Sequence, residues 1–180
     1  SSICYAITPL TLQVNPLPLF SLEPSYTLCI DTNGTEVINP PVLDTGLSAL
    51  AYSFEWSLDG VVLPLETGSS IEPAQAGTYQ VVVTDLATGC VNATDVGIAE
   101  VIESAPPSLA LSLLTQAFSE NHVIEAVATG ISGQYEYSLD GGAWQDSGLF
   151  EGVSPGVRRV IARDKLGCGY VEGELLVMDY

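Results

Sequence analysis

Basic residues are nearly missing from this chain. Four Lys or Arg stand against 22 Asp or Glu, the formal net charge is −18, and residues 1–157 contain no Lys or Arg at all. Such a balance excludes a nucleic-acid partner, because phosphate binding needs clustered cations and the release of counterions. It also leaves the acids of the first half without basic partners, so salt bridges cannot hold that half together. Histidine occurs once, at His122, and the four cysteines (Cys4, Cys29, Cys90, Cys168) form no closely spaced pair. A zinc ribbon or a dithiol redox motif is therefore not expected. Apolar runs stay shorter than the roughly 18 residues a membrane span requires. No basic-apolar-small signal opens the chain, as expected of a processed or excised piece. A helical apolar period is missing too, the best candidate being one turn within Pro73–Gly77.

What is present is alternation. Tyr52, Phe54, Trp56 and Leu58 share one face of an extended segment, and Ser53, Glu55 and Ser57 share the other. That is the period of a half-buried strand, and Asp59-Gly60 then supplies a turn. The same logic returns in Tyr135, Tyr137 and Leu139, followed by Asp140-Gly141-Gly142, so that Ser-Leu-Asp-Gly is written twice. Gly77 to Asp85 matches Gly156 to Asp164 as glycine, β-rich strand, aspartate, and each run is followed by Gly-Cys, at Gly89-Cys90 and Gly167-Cys168. Three landmarks in one order define an internal repeat of about 80 residues.

Short strands separated by Gly, Pro, Asn and Asp turns predict an all-β chain of two tandem immunoglobulin-like β-sandwich domains. The expected bounds are 16–104 and 105–180. Residues 1–15 are read as a remnant strand of a preceding repeat or as a first strand, and Pro16/Pro18 and Pro106/Pro107 as stiff joints. Cys29 in an early strand, Cys90 in a late hairpin and Trp56 between them predict an inter-sheet Cys29–Cys90 disulfide. Closing about 60 residues would stabilise the domain by roughly 4 kcal/mol. Tyr79 lies too far before Cys90 for a tyrosine corner. Cys168 is left as a free thiol, and Cys4 without its partner; a Cys4–Cys168 pair would be too distant if the domains run end to end.

The segment "YEYSLDGGAWQDSGLFEGVSPGVRRVIARDKLGCG" resembles repeats of large Bacteroidota cell-surface adhesins of the SprB-like, gliding-motility kind. The matching positions are Tyr135, Tyr137, Ser138, Asp140, Gly141, Gly142, Phe150, Gly156, Val160, Asp164, Gly167 and Cys168. Domain one resembles the immunoglobulin- or PKD-like repeats of the same proteins through Cys29, Trp56, Gly77, Thr78, Tyr79, Asp85, Gly89 and Cys90. The resemblance implies export by the type IX secretion system and display on the cell surface, outside the outer membrane. "LLVMDY" resembles the strand and linker that lead into a targeting domain of such proteins. Domain two departs from the pattern at Arg158, where domain one has Tyr79, and in lacking an early cysteine.

No residue set predicts catalysis. Glu55 and Asp59 face solvent on one strand with no groove between them, which is not a glycosidase pair. His122 is expected in a surface loop. Asp31, Asn33 and Glu36 carry oxygens at calcium-loop spacing but lack the remaining ligands, so a turn is favoured and calcium is the one cofactor left open. Asp59 and Asp140 are read as turn residues. Arg158, Arg159, Arg163 and Lys165 are expected to protect a sheet edge, to contact the acidic surface of a neighbouring repeat, or to bind an anionic polysaccharide. Trp144 is a core residue or a sugar-stacking one. The function expected is a non-enzymatic adhesin segment, a stalk or binding module in surface adhesion and gliding motility. Its partners would be neighbouring repeats of the same chain, surface polysaccharide, or the outer-membrane secretion and motility machinery. The alternatives are a carbohydrate-binding or spacer module of a secreted polysaccharide-degrading enzyme, and a spacer stiffened by calcium.

Overall fold

The computed structural model describes residues 9–115 and 121–178, all of it strand, turn and loop. Among these residues no helix is long and apolar enough to cross a membrane. The first half contains β1 (Ser25–Ile30), β2 (Val37–Asn39), β3 (Leu43–Asp44), β4 (Tyr52–Leu58), β5 (Val61–Val62), β6 (Ser70–Ile71), β7 (Gly77–Asp85) and β8 (Ile98–Ser104). Six of these make one sheet in the order β2-β1-β8-β7-β4-β5, and β3 pairs with β6 in a second. β1 and β8 run parallel, in register from Ser25 opposite Glu100 to Cys29 opposite Ser104. The alternation of β4 is realised as read, with Phe54, Trp56 and Leu58 buried and Ser53 and Glu55 exposed. Their partners across the ladder, Tyr79, Val81 and Val83 of β7, complete the core with Leu28, Leu43, Ile71 and Val101.

Polar groups inside this core are matched. The indole Nε1–H of Trp56 donates to the Gly68 carbonyl at 2.9 Å, and the Tyr79 hydroxyl donates to Gln75 at 3.0 Å. Asn92, buried beside β7, replaces a missing strand neighbour. Its Oδ1 accepts the Val83 N–H at 2.7 Å, while its Nδ2 donates to Ala93 and Val96. An unpaired backbone N–H buried there would cost about 1–3 kcal/mol.

The second half contains β9 (Ser108–Leu113), β10 (His122–Thr129), β11 (Tyr135–Leu139), β12 (Leu149–Val153), β13 (Gly156–Asp164) and β14 (Tyr170–Val177). Two three-stranded sheets, β12-β10-β9 and β11-β13-β14, enclose a separate core of Ile124, Tyr137, Phe150, Val153, Val160, Ala162 and Val177. Each half is an immunoglobulin-like β-sandwich. The described part of the expected N-terminal strand, residues 9–15, forms none. Its backbone groups find no partner among the described residues, and Leu10, Leu12 and Val14 lie exposed.

The doubled Ser-Leu-Asp-Gly has one structural cause. Asp59 and Gly60 both have positive φ, 49° and 81°, as do Asp140 and Gly141, 51° and 74°. Left-handed backbone at both centres is what a tight two-residue hairpin turn demands, and Asp-Gly tolerates it. Each aspartate also clasps the strand opposite. Asp59 Oδ1 accepts the Thr78 N–H and Asp140 Oδ1 accepts the Arg159 N–H, both at 2.9 Å. That backbone N–H, ahead of the Arg158 side chain, holds the Asp140 carboxyl below its ordinary pKa. Replacing Asp140 or Asp59 by Ala is expected to lower the unfolding free energy by about 1–2 kcal/mol, as it removes the clasp and puts a Cβ-bearing residue without a local partner in left-handed backbone. Asp140→Gly, which keeps the backbone free, is expected to lose less; urea titrations of the three variants measure the difference.

Candidate functional site

The chain passes from one half to the other through Ala105, Pro106 and Pro107, and this junction is where its chemistry concentrates. Leu28 and Ile30 of β1 point into the first core, so Cys29 between them points out of it. It meets Cys168, in the turn after β13, in a disulfide with Cα atoms 5.1 Å apart. The expected Cys29–Cys90 bond is therefore not formed, and Cys90 carries a free thiol. The reason is strand parity: a cysteine between two core residues faces away from the core and cannot bridge the sheets of its own sandwich. That signal was present in "YTLCID", though nothing in it named the partner. Cys4 lies outside the described residues.

A buried carboxylate lies beside the disulfide. Asp164 ends β13 at 3% exposure. Its Oδ2 accepts from the Ser104 hydroxyl at 2.8 Å and from the Cys168 N–H at 3.1 Å, and its Oδ1 accepts from the Ser132 hydroxyl. Ser104 is opposite Cys29 in the β1–β8 register, so disulfide and hydrogen bond join neighbouring strand ends of the first sandwich to one turn of the second. Gly169 completes the contact: a Cβ there would come within 2.9 Å of Pro106, so only glycine lets the turn close on the linker. The equivalent Asp85 of the first half is only half-buried and ties down its own turn, through the N–H groups of Ala87 and Thr88.

The four cations lie in the second half, and each pairs with an acid of that same half. Arg158 Nη1 meets Asp140 Oδ2 at 2.9 Å, Arg163 Nε meets Glu136 Oε1 at 2.7 Å, Lys165 meets Asp146 at 2.6 Å, and Arg159 pairs with Glu172. The Glu172 carboxylate holds the Arg159 guanidinium above its ordinary pKa. Arg158 also donates to the carbonyls of Ser154 and Pro155. β13 is the central strand of its sheet, so the expected edge-protecting role is corrected. Arg163 stacks on the Trp144 ring, 3.9 Å from its centroid.

The calcium-loop residues form a self-contained turn. Asp31 Oδ1 accepts the N–H groups of Thr35 at 2.6 Å and Glu36 at 3.0 Å, and Asn33 turns its Nδ2, a donor, toward Asp31 Oδ2. Among the described residues no three His, Cys, Asp or Glu side chains converge in a way that could hold a metal ion. His122 is in β10 at 3% exposure, with Nδ1 3.2 Å from the Thr115 hydroxyl, a correction to the expected surface loop. Glu55 stays on the outer face of β4 while Asp59 is bound to Thr78, so they form no working pair.

No family profile matches the chain, and no curated protein matches it. Among solved structures it is similar to the amphioxus IgVJ-C2 molecule, at 13% identity over 85% of this chain and 98% of that one, with a TM-score of 0.42. It is also similar to the four N-terminal Ig domains of Dscam1 isoform 6.9, at 14% identity over 91% of this chain and 47% of that one, TM-score 0.36. For the human desmocollin-1 ectodomain the values are 12%, 87%, 36% and 0.30.

Two outcomes are expected. Peptide mapping without reductant recovers a Cys29–Cys168 cross-link. Cys29→Ala then lowers stability by up to about 5 kcal/mol on the chain-entropy account, whereas Cys90→Ser leaves it unchanged. Separately, the N–H groups of Glu36 and Thr35 hold the Asp31 carboxyl at about 2. Its folded value lies below the unfolded one, so its stabilisation is complete above about pH 4 and disappears as pH falls through the folded value. Carboxyl NMR titration of the native protein reads that midpoint, and a midpoint near 4 would disprove the turn's hydrogen bonding.

Proposed function

We propose that this chain is a non-enzymatic segment of an exported cell-surface adhesin, in which two immunoglobulin-like modules work as one mechanical unit. The observation that carries this reading is the Cys29–Cys168 bond. Disulfides persist in oxidising compartments, which supports a secreted or surface location. The position of the bond matters more than its presence. Cys29 precedes nearly all of the first sandwich and Cys168 follows most of the second, with a sequence separation of 139. Tension applied between the chain's ends enters at Cys29, crosses one sulfur–sulfur bond and leaves at Cys168. The proline linker and every buried core residue except Leu28, just before Cys29, and Val177, at the end of β14, lie off that path. A segment built this way transmits load without unfolding the residues between its two cysteines, as the stalk of an adhesin must. The acidic, cation-poor exterior of the first half supports the same reading, since like charge keeps crowded surface proteins apart. The resemblance to SprB-like repeats supports the finer reading, a type IX cargo that serves adhesion and gliding motility outside the outer membrane.

Single-molecule pulling from the two termini tests the mechanical claim. The oxidised protein is expected to show no unfolding step for the residues between the two cysteines. After reduction, the 139-residue interval is expected to add an extension of about 460–500 Å at 3.3–3.6 Å per residue. A long extension of the oxidised protein would overturn the proposal.

A further inference from the structure

We infer that the outer face of the β11-β13-β14 sheet holds a binding site for one ring of a neutral sugar, centred on Arg163 between Trp144 and Tyr170. Strand register builds it. Glu136, Arg163 and Tyr170 are aligned across β11, β13 and β14, and Ser138, Ile161 and Glu172 form the next row. Residues of both rows whose neighbours in sequence are buried must face outward. Trp144 comes from the β11–β12 loop and reaches over this face onto the Arg163 guanidinium. Trp144, Ile161, Arg163, Tyr170 and Glu172 line a hollow of about 210 Å³.

The hollow is held in shape before any ligand arrives. Gln145, next to Trp144, exchanges both backbone hydrogen bonds with Tyr137, and its side chain donates to the carbonyls of Ser147 and Leu149. The buried Ser138 hydroxyl donates to the Gly142 carbonyl and fixes the other end of the loop. Arg163 is pinned from above by the indole and from the side by Glu136. Its two terminal nitrogens make no hydrogen bond among the described residues and remain available as donors. Tyr170 is 63% exposed and Trp144 38%, so each presents ring surface to solvent beside the hollow.

The chemistry selects the ligand. A pyranose offers an apolar C–H face for an aromatic ring and a rim of hydroxyls for planar polar groups. Here the floor is Ile161, the rings are Trp144 and Tyr170, and the rim carries guanidinium donors and the Glu172 carboxylate. Both charges are already balanced, Arg163 by Glu136 and Glu172 by Arg159, so the site is close to neutral. With a net charge of −18 on the whole chain, a polyanion is repelled. An extended peptide would need a free strand edge for its backbone, and Arg163 and Ile161 are on the central strand of three.

The site is independent of the mechanical reading, since no residue lining it lies at the domain junction. The test uses the full chain, labelled with nitrogen-15 and titrated to tens of millimolar with the methyl glycosides of glucose, mannose and galactose, and with methyl glucuronide. The two tryptophans serve as probe and control, because the Trp56 indole is fully buried and bonded to Gly68. A saturable shift of the Trp144 indole signal is expected for at least one neutral glycoside, with Trp56 unmoved. Tyr170→Ala is expected to weaken binding about tenfold without altering the rest of the spectrum, and Tyr170→Phe to retain it. The proposal is overturned by no saturable shift with any neutral glycoside, by both indoles moving together, by preference for the glucuronide, or by unchanged affinity in Tyr170→Ala.

Discussion

Two sandwiches joined by Ala105, Pro106 and Pro107 would be free to pivot at that joint, and what restrains them is one sulfur–sulfur bond backed by one buried carboxylate. The disulfide fixes the distance between β1 and the turn after β13. Asp164 fixes the direction, because it takes hydrogen bonds from Ser104 on one side of the joint and from Ser132 and the Cys168 backbone on the other. A buried carboxylate is costly unless its oxygens are occupied, and here three donors occupy them. Each element supports the other: the covalent bond keeps water and motion out of the contact, and the hydrogen bonds set the geometry in which the sulfurs meet.

The two halves use a common set of parts differently. Both place an Asp-Gly turn after an aromatic strand, and in both the aspartate clasps the N–H of the next long strand. Both end that long strand in an aspartate. In the first half Asp85 merely closes its own exposed turn, whereas in the second the equivalent Asp164 is buried against the neighbouring module. A turn that is local in one copy has become the joint in the other. The cysteine that follows shares this fate, free at Cys90 and bonded at Cys168.

Charge is divided in the same uneven way. The first half holds its fold with apolar burial, aspartate turns and a buried asparagine, with no cation at all. The second concentrates every cation on or next to β13, where each meets an acid of its own half. Exposed pairs of this sort add little stability. Two of them, Arg159–Glu172 and Arg163–Glu136, bring local neutrality to one sheet face of a strongly acidic molecule, and that is the face on which Trp144 and Tyr170 stand.

Strand identity, hairpin turns and core composition were legible in the sequence because they depend on neighbours within a few residues. The alternation of Tyr52 to Leu58 could bury only one face, and Asp-Gly marked a turn because both residues tolerate left-handed backbone. The outward direction of Cys29 was legible in the same way, from the buried residues on either side of it. Which cysteine it met was not, because that depends on how one sandwich is set against another across 139 residues. The depth of Asp164 and His122, the central place of β13 in its sheet, and the gathering of Trp144, Arg163 and Tyr170 are likewise products of register and packing between strands far apart in the chain. Local periodicity determined the faces of each strand, and only the tertiary structure decided what each face would touch.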